Sequence, residues 1–144
     1  VATLRIVSLD IPKKVKSGRE VKLTCLYDLE GDRLYSIKWY RDDKEFYRFV
    51  PNDTPQKQYF PLDGIIVDFS RSDNMTVYIR NVQISTGGVF ECEVSADSPS
   101  FRTAALQKVM MVEASGANSS YLAVSLSLVV TSLIISLTTE FFSL

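Results

Sequence analysis

Two cysteines, one tryptophan and no histidine set the limits of the chemistry this chain can do. Without histidine there is no common general base or metal ligand, and no Ser–His or Cys–His nucleophile pair. Seventeen Asp and Glu residues leave carboxylate-only hydrolysis open in principle, but none of them falls in a recognisable catalytic motif. The six glycines are scattered, so no loop is built to cradle phosphate. A net charge of −1 offers no global field for nucleic acid or an acidic membrane surface. The expectation is a protein that is not an enzyme and that uses no cofactor, metal, nucleic acid or small-molecule substrate.

The chemistry that remains is oxidation of Cys25 and Cys92 to a disulfide. The alternative is two free buried thiols in a reducing compartment. Trp39 lies between the two cysteines in sequence. If each cysteine occupies an inward position on a strand of a different sheet, the ~10 Å between packed sheets brings their Cβ atoms within bridging range. Trp39, at another inward position, would then pack on the sulfurs.

The elements needed to hold these residues can be read along the chain. Leu4 and Ile6 alternate with polar neighbours until Pro12 interrupts, as at a sheet edge. Val21, Leu23, Cys25 and Tyr27 alternate over a period of two, between turns at 16–19 and 29–32. Tyr35, Ile37 and Trp39 form the inward set of the next strand, with Ser36, Lys38 and Tyr40 facing out. A hairpin at 42–44 leads into a strand over 45–50. Residues 51–64 carry Pro51, Pro55 and Pro61 and read as a long connection. Strands follow at 65–69 and 75–82, then one with Phe90, Cys92 and Val94 inward, and a last one over 101–112. Seven to nine short strands in roughly 110 residues, with no amphipathic helix, predict an all-β, immunoglobulin-like, V-type two-sheet Greek-key sandwich with one inter-sheet disulfide. The domain is expected over 1–113, a small-residue stalk over 114–120 and a hydrophobic tail over 121–144. The chain does not begin with Met and is read as a mature or excised segment.

The corner before Cys92 departs from the usual pattern. Phe90 stands where such domains place a tyrosine, so its packing can survive but the hydroxyl bond is lost. Thr86 stands where an Asp is common, so the ion pair to a basic residue is expected to be absent. Gly87 and Gly88 keep the tight turn.

Two stretches carry a more specific likeness. Residues 26–32, running into Leu34-Tyr35-Ser36-Ile37-Lys38-Trp39-Tyr40 and Glu45-Phe46-Tyr47-Arg48-Phe49, resemble the first immunoglobulin domain of the insect beaten path (Beat) proteins. So does Cys92-Glu93-Val94-Ser95-Ala96-Asp97-Ser98-Pro99-Ser100-Phe101. The resemblance covers about residues 4–113. It implies a neuronal cell-surface or secreted protein that binds immunoglobulin-superfamily receptors of the Sidestep family in axon guidance or synaptic partner choice. Members typically carry a second, divergent domain, whereas here the last strand runs almost directly into an apolar tail.

A binding surface is expected on the outward face. Lys38 and Tyr40 come from one strand, Glu91 and Glu93 from its neighbour, and alternate residues of Phe46, Tyr47, Arg48 and Phe49 from the hairpin partner. Tyr, Phe and Arg among charges have the composition of an interface, although an ordinary exposed strand face can also carry scattered aromatics. The loop 96–101, stiffened by Pro99, is the second candidate, and a plain connecting turn is the alternative.

Asn52, Asn74 and Asn118 head glycosylation sequons; Asn74 sits in an expected turn. From Tyr121 to Leu137 every residue is apolar, Ser or Thr, and no charge falls between Ala114 and Thr139. As a helix, the 121–137 core would be ~26 Å long, close to a hydrocarbon layer. The absence of any Lys or Arg after Lys108 and the small residues at 115–120 favour a glycosylphosphatidylinositol (GPI) attachment signal, with Ser115 or Gly116 as the attachment residue. A single-pass anchor and a secreted form are the alternatives.

Overall fold

The computed structural model describes residues 3–115. Nine strands are formed: β1 (Arg5–Asp10), β2 (Lys14–Lys16), β3 (Val21–Asp28), β4 (Leu34–Arg41), β5 (Lys44–Phe49), β6 (Lys57–Tyr59), β7 (Thr76–Ile79), β8 (Gly88–Ala96) and β9 (Thr103–Glu113). One sheet has the order β1-β3-β7 and the other β2-β9-β8-β4-β5-β6. The pairings are antiparallel except that β2 runs parallel to β9. Two additional strands beyond the central hairpin, here β5 and β6, distinguish a variable-type sandwich from a constant-type one.

Period-two alternation builds the core. Val21, Leu23 and Cys25 from β3 and Phe90, Cys92 and Val94 from β8 are buried and face one another across the sandwich. Cys25 and Cys92 are disulfide-bonded, with Cα atoms 6.4 Å apart. Trp39 is fully buried and directly opposite Cys92 in the β4–β8 register. Its indole N–H has no hydrogen-bond partner, so its contribution is packing alone.

Four sequence expectations are corrected. Leu34 pairs with Ala96 and Ser36 with Ser95, so Tyr35 is an extra, unpaired residue in β4. That bulge turns Tyr35 outward, at 52% exposure, and buries Ser36, reversing the assignment of both. A second bulge lies in β5, where Trp39 pairs with Tyr47 and Tyr40 with Glu45, leaving Phe46 unpaired. Phe46 and Tyr47 are both fully buried and cannot belong to an exposed binding face. Phe46 packs edge-on to Phe90 with ring centroids 6.0 Å apart, and the Tyr47 hydroxyl donates to the Asp73 carbonyl at 3.0 Å. Third, the proline-rich 51–64 connection contains the edge strand β6. Fourth, 65–69 is held to β7 by backbone bonds from Asp68 to Tyr78 and from Arg80 to Ile66, not as a full strand.

The corner before Cys92 is rebuilt without its customary Asp. Thr86 is fully buried; its hydroxyl accepts from the Gln83 amide at 2.8 Å and donates to the Gly64 carbonyl. The Arg41 guanidinium donates to the carbonyls of Ser85 (2.7 Å), Asp63 (2.8 Å) and Thr86 (3.4 Å). The basic residue is thus satisfied by backbone rather than by a carboxylate at position 86, with Asp42 3.7 Å away on its outer side. Gly64, at φ +81°, is required here, since a Cβ would lie 2.9 Å from the Ser85 backbone.

Candidate recognition face

Strand pairing assembles the outward residues into a grid. Lys38 lies opposite Glu93 on one side and Arg48 on the other. Tyr40 lies opposite Glu91 and Glu45. Beyond β8, Glu93 pairs with Ala105 and Glu91 with Gln107; beyond β5, Arg48 pairs with Gln58. Of the sequence candidates, Lys38, Tyr40, Arg48, Glu91 and Glu93 therefore share one face, and Phe46 and Tyr47 do not. Ala105, Gln107 and Gln58 join it; on β9 the inward burial of Met110 and Val112 sets the odd-numbered residues outward.

The grid is electrostatically uneven. The Tyr40 hydroxyl donates to Glu93 Oε1 at 3.3 Å. Partial burial, with Glu93, Glu45 and Glu91 close by, pushes the Tyr40 phenol up to about 12. Glu91 is also raised, by desolvation first and then by Glu93 and Asp43. Arg48 is occupied: it donates to both Glu45 carboxylate oxygens, and its guanidinium lies 4.9 Å from the Phe60 ring centroid. Truncating Arg48 therefore removes structural contacts as well as surface charge.

The second candidate, the loop after β8, is tied down at several points. The Asp97 amide donates to the Arg33 carbonyl at 2.9 Å, and the Ser100 hydroxyl donates to Asp32 Oδ2 at 2.8 Å. Pro99 is exposed. Phe101 is 71% exposed at φ +52°, an uncommon conformation for a bulky residue. It closes the 96–101 loop that the sequence offered as the second candidate.

Asn52 and Asn74 are exposed, and Asn74 Nδ2 donates to the Tyr27 hydroxyl at 3.3 Å. Ser115 is the last described residue; Gly116, Asn118 and the 121–144 tail lie outside the described residues. Among the described residues, no helix is long and apolar enough to cross a membrane, and no cluster of three potential metal ligands is present.

The immunoglobulin domain family profile matches residues 5–95, and the chain belongs to that family. Its fold is similar to the V domain of amphioxus IgVJ-C2, at 19% identity and TM-score 0.57, covering 69% of this chain and 97% of that one. It is also similar to murine CEACAM1b, at 21% identity and TM-score 0.53, covering 78% of this chain and 53% of that one. The chain thus spans about half of the CEACAM1b structure. At these identities the likeness is one of fold. No curated protein matches the sequence. The sandwich is of the kind widely used in cell-surface recognition and adhesion.

Proposed function

We propose that this chain is a membrane-tethered recognition module that binds another immunoglobulin-superfamily ectodomain through the β8–β4–β5 face. The observation that carries this reading is the grouping of Lys38, Tyr40, Glu91 and Glu93 on one outward surface. A basic or hydrogen-bonding partner would meet the two carboxylates, while Tyr40 supplies a rigid aromatic anchor. The Beat-like stretches around Trp39 and Cys92 support a Sidestep-like partner and a role in axon guidance or synaptic partner choice. Pro99, beside the exposed Phe101, would extend the contact from the loop end.

A GPI anchor at Ser115 or Gly116, added as the apolar tail is removed, or the tail itself as a single pass, would hold the domain at the extracellular face of the plasma membrane. Exposed Asn74 and Asn52 would carry glycans, as would Asn118 if the stalk is accessible. The test is a binding screen of the ectodomain against a panel of cell-surface ectodomains. A Sidestep-like hit lost on Tyr40→Ala supports the proposal, and absence of any immunoglobulin-superfamily hit contradicts it.

A further inference from the structure

A second patch continues the outward face of the six-stranded sheet beyond Gln107, at its β2–β9 edge. Val109 and Met111 point outward at 57% and 59% exposure, the strongest pair of exposed apolar side chains on β9. β2 brings lysines against them: Lys14 is opposite Met111, Lys16 is opposite Glu113, and the Met111 amide donates to the Lys13 carbonyl at 2.8 Å. Lys13, Lys14, Val109 and Met111 together line a shallow cleft of about 380 Å³. Lys13, Lys14 and Lys16 are all exposed, and none forms an ion pair among the described residues. Glu113 is the one acid in this strand pairing.

Lysines bordering exposed apolar side chains have the composition of an interfacial lipid contact: the ammonium groups meet headgroup phosphates and the apolar side chains enter the acyl boundary. A sulfated glycan would use the lysines but has no use for Val109 and Met111. The sequence adds a constraint of length. Residues 114–120 separate the end of β9 from the apolar tail, and only 114–115 or 114–116 would separate it from a GPI anchor at Ser115 or Gly116. Fully extended, seven residues span at most ~25 Å, and headgroups occupy ~5–7 Å of the outer side. A tether this short keeps the edge at high effective concentration over the bilayer, so even a weak contact is populated.

We infer that the β2–β9 edge, through Lys13, Lys14, Lys16, Val109 and Met111, docks on the phospholipid headgroup layer and so orients the recognition face relative to the membrane. This rests on the tail being membrane-anchored, as proposed above.

The test uses full chain purified from cell membranes and reconstituted into phosphatidylcholine vesicles with or without phosphatidylserine. Lysine acetylation rates are read by mass spectrometry, with Lys22, exposed on β3 of the other sheet, as internal reference. Docking predicts several-fold slower acetylation of Lys13, Lys14 and Lys16 in either vesicle than in detergent, further slowing with phosphatidylserine that high salt relieves, and an unchanged Lys22. Val109→Ser with Met111→Ser should abolish the slowing although every charge is kept. Protein that floats with the vesicles but acetylates these lysines as fast as Lys22 overturns the inference and leaves the anchor intact. Slowing by heparin in detergent but not by vesicles assigns the edge to a sulfated glycan and also overturns it. Protein that fails to float with vesicles overturns the anchorage, and the inference with it.

Discussion

Replacing Arg41 with Met tests whether the corner before Cys92 is held as described. The residue is 8% exposed, so Met can keep most of the stem packing while deleting the guanidinium. Two short bonds are lost, to Ser85 O at 2.7 Å and Asp63 O at 2.8 Å, along with a longer one to Thr86 O at 3.4 Å. A hydrogen bond to a charged group contributes about 1.5–3 kcal/mol. The Ser85 and Asp63 carbonyl bonds are only part-buried, so water recovers some of that. The expected net loss is about 3 kcal/mol, or a fall in Tm of roughly 12 °C for a domain of this size. Arg41→Lys should recover only part of the loss, because one ammonium cannot fork between carbonyls on two loops. The assay is thermal and urea denaturation followed by near-UV circular dichroism. An Arg41→Met protein melting within about 3 °C of the wild type would show that solvent satisfies these carbonyls and that the arginine does not brace the corner.

Other outcomes follow from the same structure. Cys25→Ala with Cys92→Ala opens a loop with a sequence separation of 67 and should cost about 4 kcal/mol in the chain-entropy model, lowering secretion; intact mass after alkylation of unreduced wild type should show no modified thiol. The folded-state Glu91 carboxyl holds its proton more tightly than the unfolded chain does, so ionised Glu91 costs stability above the carboxylate range and nothing below it. Glu91→Gln should therefore leave Tm unchanged or raised at neutral pH, with any gain fading as pH falls through the carboxylate range; a lower Tm at neutral pH contradicts this. Phosphatidylinositol-specific phospholipase C should free the protein from intact cells, whereas retention of the protein with a tag placed after Leu144 would establish a spanning segment.

The sandwich was legible because its determinants are local and periodic. Val21-Leu23-Cys25 and Phe90-Cys92-Val94 alternate without interruption, and a single pair of cysteines admits one connectivity. The face was legible in part. Lys38, Tyr40, Glu91 and Glu93 sit on uninterrupted stretches of β4 and β8, so parity assigned them correctly. Tyr35, Ser36, Phe46 and Tyr47 were misassigned because each lies at or beside a bulge, and one extra residue reverses the parity of its neighbours. In β5 the run Phe46-Tyr47-Arg48-Phe49 is amphipathic on both sides, so no polar alternation marks the slip. Arg41 was missed for another reason: its partners are backbone carbonyls on remote loops, which leave no trace in side-chain identity.

Tyr40→Ala tests the central claim most directly, measured as binding of the folded ectodomain to its receptor with Tm recorded on the same sample. Tyr40 is only half-buried, and its one side-chain bond is the long one to Glu93, so its removal should move Tm by only a few degrees. As a central aromatic anchor, its loss should weaken binding by about 2 kcal/mol, roughly thirtyfold, and Glu93→Lys should weaken it further by reversing a charge on the same face. Wild-type affinity in both variants, with the fold intact, would contradict the assignment of the β8–β4–β5 face.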